Sequence, residues 1–254
     1  MMHIWVRSED RENEQRVGVA PDGVATLINA GFAITVEDDP TRAIDIQAYR
    51  AAGATIATPG SWRAAPSDVV VFGLKELPDD GAPLCHHHIM FGHAYKGQPS
   101  GQRLLKQFKD GGGMLLDIEY LTDQANRRVA AFGYWAGYAG AAVALQCWAS
   151  QMRGDIAGPV KQHDSAHGML ADLQTQLTGL RTRPSALIIG ALGRVGTGAA
   201  DLCTHMGVAT TKWDIAETAQ GGPFPAVLAH DIFFNCILAR PGTPVFVPAS
   251  AKVA

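Results

Sequence analysis

Short apolar runs alternate with amphipathic stretches along most of this chain. That is the pattern of strands and helices laid down in turn, and it predicts an α/β architecture with largely parallel sheets. Residues 3–8 read as a first strand and 9–16 as a charged loop. Pro21 opens a helix that runs to Ala30 and ends at Gly31, because proline suits a first helical turn and glycine suits its exit. Residues 32–36 form the next strand, 45–52 a short helix and 54–57 a third strand. Three further strands follow at 68–74, 88–92 and 113–118. An Ala/Gly-rich helix over 129–152 and a polar helix over 169–177 lead to the second half of the chain.

The pattern sharpens between residues 185 and 214. An apolar run at 186–189 suits a strand buried on both faces, and it passes directly into Gly190, Gly193 and Gly196. A helix-compatible segment at 199–206 follows, then Gly207 as its C-cap, then a strand over 208–214 that ends in Asp214. Strand, glycine turn, helix, strand and acid in this order fit a dinucleotide site. Glycines let the backbone approach a pyrophosphate, the helix N-terminus offers it free N–H groups, and the acid accepts from ribose hydroxyls. Arg194 is a candidate phosphate contact, and a carboxylate at 214 favours NAD over NADP because it repels a 2′-phosphate. The glycine spacing is looser than G-x-G-x-x-G, so an ordinary strand–turn–helix is the competing reading.

The three strands before the Ala/Gly-rich helix each end in polar chemistry. Lys75 and Glu76 follow the first, His93 and Lys96 the second, and Glu119 the third. Ligands of open parallel sheets collect beyond the carboxyl ends of the strands, so these five side chains are expected along one edge. Lys75 and His93 are the candidate acid–base groups.

Composition narrows the partners. The formal net charge of the 254 residues is −3 and no basic run occurs, which disfavours nucleic acid and anionic membranes. Four dispersed cysteines without a C-x-x-C pair suggest a reducing compartment, and no signal-peptide pattern follows Met2, so a cytoplasmic protein is expected. The uncharged segment 129–152 is long enough for a bilayer, but its Ala, Gly and Gln content argues for a closely packed helix. His86, His87 and His88 lack an established metal-ligand spacing, so a solvated loop leading into a strand is expected there and no metal.

Seven runs, GLKELP (73–78), HAYKGQ (93–98), DIEYL (117–121), RRVAAFGY (127–134), IIGALGR (188–194), KWDI (212–215) and GGPF (221–224), together resemble the lysine-forming, NAD-dependent saccharopine dehydrogenases. These are relatives of alanine dehydrogenase and the nicotinamide nucleotide transhydrogenases. The resemblance implies two Rossmann-like domains and oxidation of saccharopine to lysine and 2-oxoglutarate by NAD. It implies Lys75 as the base for the secondary amine, His93 as the acid–base group of imine hydrolysis, and Glu119 as a carboxylate that tunes the site. Arg16, Glu76, Lys96 and Phe132 match substrate contacts; Arg128, Gly193, Arg194, Asp214 and Thr218 match dinucleotide contacts.

This chain carries Ala94 where relatives often have cysteine. It also ends soon after the strand expected at 232–238, so the second domain, 134–254, is expected to be incomplete, holding one βαβαβ half, with 1–133 as the catalytic domain. Two alternatives stay open: a shortened nucleotide-binding remnant without turnover, and an amino-acid dehydrogenase of the alanine dehydrogenase type. Oligomeric state is not legible.

Overall fold

A computed structural model describes residues 1–75, 77–163, 165–239 and 241–251. The chain divides into two compact units, Met1–Ala131 and Phe132–Ala254.

The first unit runs β1 (His3–Val6), α1 (Pro21–Asn29), β2 (Ala33–Glu37), α2 (Ile46–Ala51), β3 (Thr55–Ala57), β4 (Val70–Phe72), β5 (His87–Met90), α3 (Pro99–Gly111) and β6 (Met114–Asp117). Six parallel strands pair in the order β3-β2-β1-β4-β5-β6. The direction of strand addition reverses between β1 and β4, which opens a crevice at their carboxyl ends. Local chemistry sets the helix ends. Pro21 sits in the first turn of α1, Gly31 leaves it at φ 92°, and the Asp45 carboxylate accepts from Gln47 N at the start of α2. The helix α3 has no counterpart among the sequence expectations. Pro99 starts it, Gly112 ends it at φ 73°, and it buries Leu104 and Phe108, one turn apart.

The core lies on both sides of this sheet. Val71, Met90, Trp62, Leu104 and Phe108 pack in one cluster, and Ile4, Val6, Ile34, Val36, Val24 and Tyr49 in another. Each such side chain contributes roughly 1.5–3 kcal/mol by leaving water. Glu37, fully buried at the end of β2, is satisfied by five donors: Trp5 Nε1, Ser8 N, Ser8 Oγ, Gly60 N and Trp62 N, at 2.7–3.0 Å. It fixes the loop that leaves β1.

The second unit runs α4 (Gly133–Gln151), α5 (Ala166–Leu177), β7 (Ser185–Ile189), α6 (Arg194–His205), β8 (Ala209–Trp213), α7 (Ile215–Thr218), α8 (Pro225–Leu228) and β9 (Ile232–Asn235). Its three parallel strands pair in the order β8-β7-β9. The last strand therefore lies on the opposite flank of β7 from β8, and strand addition reverses at β7. Both faces of β7 are covered, as its unbroken apolar run requires. Ala186 and Ile188 join the cluster formed with α4, α5 and α6, while Leu187 and Ile189 meet Val227, Trp213 and Phe224.

Glycine lets α4 and α6 touch through their backbones. A Cβ on Gly137 would lie 1.8 Å from Val195 O, and one on Gly198 would lie 2.0 Å from Tyr134 O. Tyr134 Oη donates to Asp201 Oδ2 at 2.8 Å across the same contact. Among the described residues no helix is long and apolar enough to cross a membrane.

Candidate functional site

The carboxyl edge of the first unit's sheet gathers the polar residues expected there. After β4 the chain leaves the ladder as Gly73-Leu74-Lys75, after β5 as Phe91-Gly92-His93, and after β6 as Ile118-Glu119. Glu76 lies outside the described residues. Leu74 O accepts from Phe91 N at 3.3 Å, so the segments bearing Lys75 and His93 are joined beyond the end of the strands.

His93 is held in an unusual backbone conformation, with φ 50°, a region that non-glycine residues enter at a cost of about 1–3 kcal/mol. The preceding Gly92 leaves room for Leu115, whose Cδ2 would lie 3.0 Å from a Cβ there. The His93 ring stacks on Phe91 at 6.5 Å between centroids, and its Nδ1 is buried without a hydrogen-bond partner among the described residues.

Glu119 is the meeting point of two cations. Its Oε1 accepts from Lys96 Nζ at 3.1 Å and its Oε2 from Arg128 Nη2 at 3.0 Å, with only 17% of the carboxylate side chain exposed. Burial alone would raise this carboxyl, but the Lys96 hydrogen bond and the charges of Arg128, Lys96 and His93 outweigh it and hold the group below its usual value. Arg128 also donates to Ala130 O at 3.2 Å.

Arg16 engages Glu14 through Nε at 2.7 Å and Nη2 at 2.6 Å, a two-pronged ion pair with the carboxylate almost buried and the guanidinium half exposed. The Arg16 hydrogen bonds hold Glu14 below the usual carboxylate value, and the charge of Lys75 adds to this. Glu14 was not among the sequence candidates. Nor were Arg7 and Glu9, just past the end of β1, which contact the Lys75 backbone. The signal that finds them is the topology, since β1 borders the reversal point.

In the second unit the glycine turn has the shape expected of it. Gly190 has φ 80°, and Gly193 N donates to Gly190 O at 3.1 Å. A Cβ on Gly196 would strike Gly190 O at 2.1 Å. Gly193 is the N-cap of α6, so Arg194 occupies its first position, and the helix starts five residues before the segment that looked helical in sequence. The glycines disguise its first turn: they are there for close approach, and they lower helix propensity. The start of a helix, beside a turn built on glycines, is a place where backbone N–H groups suit a pyrophosphate.

Asp214 ends β8 next to this turn. Its Oδ2 accepts from Leu192 N at 2.9 Å, its Oδ1 from Ile215 N at 2.9 Å, and Thr218 Oγ1 donates to Asp214 O at 2.9 Å. Phe132 is half exposed at the start of the same unit.

The histidine run corrects one expectation. His86 is buried rather than part of a solvated loop; it lies just before β5 on the same side of the chain as His88, which is buried within the strand, while His87 is exposed. Trp62 and Phe108 flank His88 edge-on, at 5.0 and 5.3 Å. Among the described residues no group of three or more His, Cys, Asp or Glu is placed to hold a metal ion.

A family model described as "Alanine dehydrogenase/PNT, N-terminal domain" matches residues 5–139. The chain is 40% identical to a protein of Candida albicans named saccharopine dehydrogenase (NAD(+), L-lysine-forming), over 96% of this chain and 69% of that one. A protein of the same name from Candida glabrata is 43% identical, over 95% and 68%. Among solved structures, an L-alanine dehydrogenase superposes with a TM-score of 0.57 at 20% identity, covering 98% of this chain and 70% of that one. The transhydrogenase of Sinorhizobium meliloti gives 0.59 at 17% identity, covering 93% and 70%. At such identities the structural likeness establishes the α/β fold.

Proposed function

The chain belongs to the lysine-forming, NAD-dependent saccharopine dehydrogenases, and from that membership we propose that it oxidises saccharopine with NAD to lysine and 2-oxoglutarate. One structural observation carries the reading of the site: Lys75, His93 and Glu119 follow the ends of three neighbouring parallel strands on one sheet edge.

When bound, NAD accepts the hydride that leaves the glutamyl α-carbon. Lys75 takes the proton of the secondary amine in that step. His93 then moves protons as water adds to the imine and lysine departs. Arg16 and Lys96 are cations suited to the carboxylates of the substrate, and Glu76 and Phe132 are further substrate contacts carried over from the family. Glu119 tunes the site by balancing Lys96 and Arg128. Gly190, Gly193 and Gly196 would admit the pyrophosphate to the α6 N-terminus, where Arg194 supplies charge, and Arg128 is a further dinucleotide contact carried over from the family. Asp214 and Thr218 hold the adenosine ribose. Residues 1–133 serve as the substrate domain and 134–254 as the dinucleotide domain, in a cytoplasmic protein whose partners are small molecules.

The test is formation of NADH, followed by near-ultraviolet absorbance, on the full chain with saccharopine and NAD. Lys75→Met is expected to lower turnover by about 10²–10⁴-fold, the usual contribution of a general base. Unchanged turnover in that variant would remove Lys75 from its role.

A further inference from the structure

Where β4 ends at Phe72, Gly73 N still donates to Ile89 O and Leu74 O accepts from Phe91 N, but Leu74 N, Lys75 N and Lys75 O need other partners. Water would serve an ordinary loop. Here a buried ion pair takes them. Glu9 Oε1 accepts from Leu74 N at 2.6 Å and Glu9 Oε2 accepts from Lys75 N at 3.0 Å, so one carboxylate spans the two consecutive amides. Arg7 Nη2 donates to Lys75 O. Arg7 Nη1 lies 3.3 Å from Glu9 Oε2 and donates to Ser8 O at 2.9 Å. The Arg7 side chain is fully enclosed and that of Glu9 is 5% exposed.

The clamp is itself braced. Ser8, between its two members, is bound through N and Oγ to the buried Glu37. Gly73 is required under it, because a Cβ there would lie 2.3–2.6 Å from the Arg7 guanidinium. Both backbone groups of Lys75 are thus fixed by charged side chains that water does not reach, which sets the direction of its Cα–Cβ bond.

We propose that Arg7 and Glu9 are positioning residues for Lys75, aiming its amine into the crevice between β1 and β4. This rests on the reading of Lys75 as the base. A carboxylate bridging two amides and a guanidinium on the following carbonyl are charge-assisted hydrogen bonds, stronger than the neutral kind and directional. A misplacement of about 1 Å at a reacting group costs on the order of a hundredfold in rate.

The experiment is a double-mutant cycle on the full chain. Glu9→Gln keeps the size of the side chain but turns an amide N–H₂ toward one of the two N–H donors, and it is expected to lower turnover on the order of ten- to a hundredfold with KM for NAD unchanged. In the Lys75→Met background the same change costs less than about twofold, because the group it aims is already gone. Full multiplication of the two losses would overturn the proposal, since a merely structural role acts whether or not Lys75 is present. Glu9→Asp retains the charge opposite Arg7 and is the variant to use if Glu9→Gln does not fold; it is too short to span both amides and follows the same pattern.

A second readout needs no turnover. The Cε–Nζ resonance of Lys75 in lysine-labelled protein is assigned by its loss in Lys75→Met. It moves or broadens in the Glu9 variants and stays in place in Asp110→Asn, which alters a surface pair on α3. A resonance unmoved by the Glu9 variants overturns the proposal. If Lys75→Met turns over like the parent chain, the assignment of Lys75 as base fails instead, and the resonance alone decides the clamp.

Discussion

Leu192 donates its backbone N–H to Asp214 Oδ2 at 2.9 Å, so the glycine turn after β7 is tied directly to the acid that ends β8. Asp214 has a second duty as N-cap of α7, where Oδ1 accepts from Ile215 N and Glu217 Oε2 accepts from Asp214 N at 2.7 Å.

Replacing this acid separates the two duties. Asp214→Ala is expected to weaken NAD binding by about ten- to a hundredfold, the worth of a charge-assisted hydrogen bond, and to cost about 1 kcal/mol of stability through the lost cap. Asp214→Asn keeps a capping oxygen for Ile215 N but sets its amide N–H₂ against Leu192 N, so it recovers only part of the lost stability while the preference for NAD over NADP narrows. Calorimetric titration with both nucleotides checks this; an undiminished preference in both variants would show that the carboxylate does not face the ribose.

Much of this arrangement was legible before any coordinates. The apolar runs that became β1, β2, β4, β5, β6 and β7 are short and unbroken, as suits strands of a covered parallel sheet, although the edge strand β6 leaves Met114 and Leu116 exposed, and residues at their carboxyl ends inherit the crevice by topology alone. The parts that escaped have physical causes. The α3 helix hid because its apolar residues are few, and Leu104 and Phe108 say helix only once their spacing is matched to the proline and glycine at its ends. The first turn of α6 hid behind glycines. Arg7 falls near the end of the expected first strand, and Glu9 and Glu14 in what reads as a charged loop; only the fold shows that Arg7 and Glu9 are buried against the Lys75 backbone.

The close approach of α4 to α6 gives a contrast within one helix. At Gly137 a methyl group would overlap Val195 O, so Gly137→Ala is expected to push the helices apart and destabilise the second unit by about 1–3 kcal/mol. Gly140, three residues further along α4, has nothing within 4 Å of where its Cβ would be. Gly140→Ala is therefore expected to stabilise by about 0.5–1 kcal/mol, since alanine gives up less freedom in a helix. Urea unfolding of the two variants should move in opposite directions; equal destabilisation would mean that helix propensity is not what separates them.

The buried His88 makes the first unit sensitive to mild acid. Burial foremost, then the charges of Arg7, His86, Arg63 and His87, pushes its pKa down to about 3, whereas the same histidine in an unfolded chain titrates near 6.5. Between these values the unfolded chain holds a proton that the folded chain refuses. The free energy of unfolding therefore falls as pH drops through that interval, by roughly 1.4 kcal/mol per pH unit, or about 2 kcal/mol from pH 6.5 to pH 5. The depressed carboxylates Glu14, Glu119 and Asp231 act in the same direction but only at lower pH, below their ordinary range. His88 Nε2 has no hydrogen-bond partner among the described residues, so His88→Leu removes the titration without breaking a bond. Unfolding followed by tryptophan fluorescence, with Trp62 beside the ring, should lose stability between about pH 7 and pH 5 in the parent chain and stay nearly level in His88→Leu. Parallel curves for the two proteins would place the acid sensitivity on another group.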